Sequence, residues 1–147
     1  MEKKFKLTDE TIKLNGVTLY RIEALKDFGE IKKGDKGGFI ESENNLAHEG
    51  NAWVSDDACV YDNARVSDNA CVSGNARVYG EAWVYGSACV YGYACVYDHA
   101  CVHGDARVYG DALVRGDAEI STYAYYIVFK NWWSSGRYFT WTRSNNM

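Results

Sequence analysis

"NARVYGEAWVYGSACVYGYACVYDHACVHGDARVYG", residues 75–110, is one six-residue phrase repeated six times. Ala stands at 76, 82, 88, 94, 100 and 106, and Val two residues after each. In an extended chain, residues two apart point to the same side. Ala and Val therefore face one way, and the residue between them and the residue after Val face the other. The next two positions, Gly or Asp followed by Asn, Asp, Ser or Glu, are turn chemistry. Each phrase thus supplies one short strand and one corner, and three phrases, 18 residues, close a triangle. Small Ala permits close approach inside it and β-branched Val fills the remaining space. A helix is excluded, because six is not a multiple of the 3.6-residue helical turn.

Working outward, the period runs from Asn45 to Thr122, thirteen hexads counted from 45–50 to 117–122. Ala recurs every sixth residue from 52 to 118 and Val from 54 to 114, with Ile120 continuing the series. Self-similarity at a short fixed period marks a solenoid. The expectation is an all-β, left-handed parallel β-helix of about four triangular coils, about 20 Å tall at the usual strand spacing. Residues 1–44 lack the repeat. "ETIKLNGVTLYRIEAL" holds two alternating runs around Asn15-Gly16, the signal of a two-residue hairpin turn, so an N-terminal β-hairpin cap is predicted. "GEIKKGDKGGFIESENNL" is a Gly-punctuated entry, with the repeat register already set at Leu46. Residues 123–147 abandon the phrase after Ala124. There "YYIVFKNWW" and "RYFTWTR", joined by Ser134-Ser135-Gly136, read as a C-terminal aromatic β cap that seals an open end. The organisation is therefore 1–44 cap, 45–122 solenoid, 123–147 cap.

Charge narrows the partners. The net charge of −4 is uneven: residues 51–122 carry 4 Lys and Arg against 10 Asp and Glu, whereas residues 123–147 carry 3 against none. An acidic body repels duplex nucleic acid. No stretch has the apolar core of a signal peptide or approaches the roughly 18 apolar residues of a membrane span, so a soluble, cytoplasmic protein is expected. The five cysteines ride on the repeat in multiples of six and show neither a CxxC metal pair nor a secreted disulfide framework. They read as free thiols, with no metal and no cofactor.

Residues 18 apart stack on one side of a triangular coil. Tyr61, Tyr79 and Tyr97 form one predicted column, and Tyr91 with Tyr109 a shorter one. The outward residues within the strands give Trp53, Cys71, Cys89 and Arg107 on one side, Cys59, Arg77, Cys95 and Leu113 on the next, and Arg65, Trp83, Cys101 and Glu119 on the third. Aromatic side walls of this kind point to a partner surface. Trp53, Tyr61, Tyr79, Trp83, Tyr91, Tyr97 and Tyr109 are the predicted association residues, and a homo-oligomer, most simply a trimer, is the predicted assembly. In the tail, Lys130, Trp132, Trp133, Arg137, Tyr138, Trp141 and Arg143 combine aromatic faces with cations, a combination that suits a nucleotide-like ligand.

Written from its Val as V-x-[GD]-x-A-x, the hexad resembles the hexapeptide repeat of left-handed parallel β-helices. More closely, "LYRIEALKDFGEIKKGDKGGFIESENNLAHEGNAWV", the "NARVYG" hexads and "YYIVFKNWWSSGRYFTWTRSNNM" resemble phage and prophage hexapeptide-repeat proteins of the YdcK type, over essentially the whole chain. The resemblance implies the fold and a phage or prophage context, not a reaction. It also implies a longer C-terminal region than the one ending at Met147. A non-enzymatic accessory protein is the expectation, one that captures a host factor or a nucleotide-like ligand at a subunit junction. Two alternatives stand beside it. One is a structural component of a phage particle. The other is an acyltransferase trimer, since hexapeptide-repeat acyltransferases use a His at a subunit junction as general base; His99 and His103 would be the catalytic candidates. Against that alternative, both fit as variants of a corner residue and a Tyr position, and no loop interrupts the hexads to wall a coenzyme A site. His48 stands in the entry with no visible partner.

Overall fold

The computed structural model describes residues 3–121; the tail from which the C-terminal cap was read lies outside them. The chain opens with β1 (Phe5–Leu14) and β2 (Val17–Ala24), antiparallel with Leu14 opposite Val17. Asn15 and Gly16 make the turn with φ of 54° and 85°, as the Asn-Gly pair requires. β2 pairs antiparallel with β3 (Lys36–Ile40), and β3 pairs parallel with β5 (Cys59–Val60). The hairpin thus continues one side of the solenoid and does not stand apart from it.

From there two-residue strands recur every six residues, and they sort onto three sides. The first carries β3, β5, β8 (Arg77–Val78), β11 (Cys95–Val96) and β14 (Leu113–Val114). The second carries β4 (Trp53–Val54), β7 (Cys71–Val72), β10 (Cys89–Val90) and β13 (Arg107–Val108). The third carries β6 (Arg65–Val66), β9 (Trp83–Val84), β12 (Cys101–Val102) and β15 (Glu119–Ile120), with Leu46 bridged below Val66. The fold is an all-β parallel β-solenoid of about five turns. Four had been expected, but β3 and Leu46 already serve as rungs below the first regular hexad.

Each rung is held by main-chain hydrogen bonds to the next. Trp53 N–H donates to Ala70 C=O (3.1 Å), Ser55 to Val72 (2.8 Å) and Asp57 to Gly74 (3.0 Å), and the pattern repeats along the chain. The interior is the predicted one: Ala52 to Ala112 and Val54 to Val114, at their six-residue spacing, are at most 2% exposed.

The corners obey one rule. Positions 56, 62, 68 and 98 are Asp with φ of 57–62°, and positions 74, 80, 86, 92, 104, 110 and 116 are Gly with φ of 65–72°. A left-handed conformation disfavours residues with a Cβ by about 1–2 kcal/mol, and Asp offsets this by a hydrogen bond to the coil above. The carboxylates of Asp56, Asp62, Asp68 and Asp98 accept from the amides of Gly74, Gly80, Gly86 and Gly116 at 3.0–3.1 Å. Each corner Asp therefore has a Gly 18 residues on.

The entry departs from the hexad. Coils advance by 18 residues from Cys59 onward, but Phe39 pairs with Cys59 and Leu46 with Val66, a step of 20. Leu46 to Val54 is eight residues, so 45–50 is not a regular hexad, and the two extra residues enlarge the corner at 47–51. Lys4 fills it. Its ammonium donates to Ala52 C=O (2.7 Å) and Gly50 C=O (3.3 Å) and lies 4.8 Å from the centre of the Phe28 ring. The Lys4 amide donates to His48 Nδ1 at 3.1 Å, which places the ring proton on Nε2, 3.2 Å from Glu43 Oε1. The His48 ring stacks on Phe5 at 4.2 Å. His48, read from sequence as partnerless, is thus a docking residue for the N-terminal strand. Sequence could not show this, because Lys4 and Phe5 lie 44 and 43 residues before it.

The same segment covers two predicted surface residues. Trp53 and Tyr61 are each 4% exposed. Phe28 meets Trp53 edge-on at 5.3 Å, and Gly37 lies so close that a Cβ there would be 2.8 Å from the indole. Tyr61 joins Leu19, Phe39 and Cys59 in a small second core with Leu14, Val17 and Tyr79 at its edge. The pair Gly37-Gly38 is required for this closeness, since a Cβ on Gly38 would be 2.6 Å from Ala58 O.

Two outcomes follow. Asp62→Ala keeps the left-handed backbone and loses the acceptor for Gly80, and should cost about 1 kcal/mol in urea unfolding. Asp62→Gly also removes the strain and should cost less; equal losses would mean that the left-handed corner imposes no strain on a Cβ, and no loss in Asp62→Ala would mean that the carboxylate contributes nothing. The second outcome concerns Lys4, whose pKa burial, and secondarily the charge of Lys26, lowers from 10.5 to about 8. The unfolded chain holds this proton up to 10.5 and the folded one releases it near 8, so folding gains stability as pH rises through that window. Lys4→Met abolishes that gain. Measured by urea unfolding, the stability difference between wild type and variant should move in favour of wild type from pH 8 to 10.5, and a constant difference would show that the ammonium is not desolvated.

Candidate functional site

The outward residues of the solenoid are the candidate site, and the corners position them. Because each left-handed corner turns the chain by the same amount, residues 18 apart stand directly above one another. The Tyr61, Tyr79 and Tyr97 rings stack at 5.0 Å with interplanar angles of 5° and 2°, and Tyr91 and Tyr109 at 5.3 Å and 9°. Ring spacing is set by rung spacing, roughly 4.8 Å. Burial, with Cys95 and the flanking tyrosines behind it, raises the Tyr79 phenol to about 12, so Tyr79 is uncharged at neutral pH. Tyr79, Tyr91, Tyr97 and Tyr109 are half-buried, while Trp83 is 45% and Tyr93 66% exposed. Of the predicted association residues, Trp53 and Tyr61 are closed off by the chain's own N-terminal segment and the other five remain at the surface.

The two candidate histidines are separated. His99 follows the corner Asp98 and pairs with Glu81 (Nδ1 to Oε1, 3.1 Å), both well exposed. His103 follows β12, pairs with Glu119 (Nε2 to Oε2, 2.9 Å) and stacks on Tyr85 at 4.8 Å and 7°. Trp83 leans on Tyr85 from the rung position beside it, at 5.1 Å and 49°. Each imidazole thus has its own carboxylate, and the two are not brought into one dyad. The Tyr85 and His103 stack is legible after the fact, since 85 and 103 differ by 18.

Two features escaped the sequence reading. The first is a pair of polar clefts, of about 410 and 330 Å³, on either side of the short 3-10 turn Glu43–Asn45. Asn44 and Arg65 border both. Asn45 is consumed in building them: its Oδ1 accepts from the Glu41 and Ser42 amides, and its Nδ2 donates to Asp62 and Ala64 carbonyls. Burial raises the Glu43 pKa, but hydrogen bonds from His48 and Lys3 outweigh it and the net direction is down. Asn44, Asn63 and Arg65 are left to meet a polar ligand. The sequence signal was the run "ESENNL", where the repeat has not yet begun.

The second is chemical asymmetry among the thiols. Burial raises the Cys59, Cys95 and Cys101 pKa values. On the second side the Cys71 and Cys89 thiols are opposed in neighbouring rungs, and their mutual interaction raises Cys71 and, with Arg107 in the next rung, lowers Cys89. Lys130, Trp132, Trp133, Arg137, Tyr138, Trp141 and Arg143, the predicted ligand residues, lie outside the described residues.

Comparison with curated proteins gave no match. A family model, the YdcK β-solenoid repeat, matches twice, over residues 58–74 and 70–86. Those two matches overlap and fall on regular coils, from Ala58 to the corner at Gly86, where the parallel rungs and left-handed corners are already established. Residues 58–86 of the solenoid are thus similar to the YdcK β-solenoid repeat.

Proposed function

We propose that this chain is a non-enzymatic binding scaffold that works as a homo-oligomer, with the outward aromatic columns as its contact surface. The observation that supports the reading is the Tyr79 and Tyr97 ladder. It begins in the small core under the N-terminal hairpin and runs on beyond it as a half-buried aromatic stripe. On the third side the exposed Trp83, leaning on Tyr85, offers a second apolar contact. A trimer is the simplest closed arrangement of a three-sided prism. With this reading go the finer expectations: left-handed winding, a phage or prophage accessory role in the bacterial cytoplasm, and capture of a host factor or nucleotide-like ligand by Arg137, Arg143 and the tail tryptophans.

A second reading, acyl transfer, is favoured by one observation: His103 is held by Glu119 and by the Tyr85 ring, as an oriented general base would be. It requires acetyl-coenzyme A to bind at millimolar concentration and loss of turnover in His103→Ala. Without that binding the reading fails.

Native mass spectrometry at about 10 µM should give a trimer mass for the wild type, and Trp83→Glu with Tyr97→Glu should give monomer with an unchanged circular dichroism spectrum. A wild-type monomer at that concentration would overturn the assembly. For the ligand, Arg137→Ala with Trp141→Ala should abolish the rise in melting temperature that mononucleotides produce; a rise retained in the double variant would remove the tail from consideration.

A further inference from the structure

The strongest unassigned chemistry lies on the second side of the solenoid. Cys71 and Cys89 stand directly opposite each other in neighbouring parallel rungs. Trp53 flanks Cys71 in the rung below and Arg107 flanks Cys89 in the rung above. Among the described residues every cysteine is a free thiol, and no other two share this register. Cys59 and Cys95 have the Arg77 rung between them, and Cys101 stands between Trp83 and Glu119. Cys71 is exposed and Cys89 partly so.

Spacing decides what such a pair can hold. Parallel rungs are roughly 4.8 Å apart with Cβ vectors aligned. A disulfide needs sulfurs about 2.05 Å apart and a Cβ–S–S–Cβ angle near 90°, which aligned vectors at that separation do not supply. Two metal–sulfur bonds of roughly 2.3 Å laid end to end span about 4.6 Å, close to the rung spacing. The metal must be content with two ligands, because among the described residues no three His, Cys, Asp or Glu side chains converge. Zinc and the hard cations, which want four to eight, are therefore poor occupants. A soft monovalent ion with a filled d shell accepts two thiolates in a line.

We propose that Cys71 and Cys89 form a two-sulfur site for a soft monovalent cation of the Cu(I) class, bridging adjacent coils. Binding displaces one proton from each thiol and forms two metal–sulfur bonds with no change of oxidation state. The resulting complex carries one net negative charge beside the Arg107 guanidinium. Trp53 screens the lower flank from water, which strengthens that charge pairing.

The test is anaerobic titration of the reduced full-length protein with Cu(I) in competition with the chelator bathocuproine disulfonate, with native mass spectrometry for stoichiometry. One Cu(I) per chain is expected. Cys71→Ser and Cys89→Ser should each weaken binding by at least about 100-fold, while Cys95→Ser and Cys101→Ser bind as the wild type does. Circular dichroism confirms that the serine variants, altered on the outer surface, keep the fold. Uptake unchanged in Cys71→Ser and Cys89→Ser, or lost instead in Cys101→Ser, overturns the proposal. So does recovery of a Cys71 to Cys89 disulfide on peptide mapping of air-exposed protein, which would show that the sulfurs approach each other more closely than a bridging ion permits.

Discussion

The hydrogen bonds that cross from coil to coil, such as Trp53 N–H to Ala70 C=O and Ser55 N–H to Val72 C=O, are what every other feature of this protein rests on. A strand of two residues has no stability of its own, and here it persists because each rung is clasped above and below. Energetics are therefore local along the axis, each coil depending on its neighbours. The ends are then the weak points. At the N-terminal end β1 and β2 extend the first side, the Gly37-Gly38 pair lets the chain press against β4 and β5, and Lys4 fills the enlarged corner.

The corners explain why so much of the sequence is fixed and so much is free. A left-handed residue is needed once per hexad, and only Gly, or Asp with a Gly amide above it, fills that place. Ala and Val are held by the narrow interior. What remains in each hexad is outward, and there Tyr, Trp, Cys, Arg and His can change without disturbing the coil. Because identical corners stack them in register, changes at outward positions accumulate into columns. Tyr79 over Tyr97, His103 over Tyr85 and Cys71 beside Cys89 are three chemically distinct columns on one frame.

The frame was legible because its signals are local. Asn15-Gly16 announces its own turn, and Ala-x-Val announces its own facing. The columns were legible too, since 18 residues per coil follows from three hexads. Trp53 and Tyr61 were misplaced for the opposite reason. Their columns are correctly read, but whether an outward residue meets water depends on what folds over it, and Phe28, Leu19 and Phe39 come from a segment with no repeat. The count of coils fell short for a related reason: Phe39 and Leu46 occupy rung positions without the Ala-x-Val phrase around them.

By itself, the sequence determined the solenoid's interior, its six-residue corners and the identity of each outward column. Periodicity is a property of neighbouring residues, and the backbone geometry of a strand and a corner converts it directly into facing. Only the tertiary structure decided the eight-residue turn from Leu46 to Val54, the seat of Lys4 against Gly50, Ala52 and His48, the polar clefts beside Asn44 and Arg65, and which aromatic columns stay open. These depend on contacts across 17 to 48 residues between the aperiodic N-terminal segment and the coils, and no local pattern encodes a contact whose two halves follow different rules.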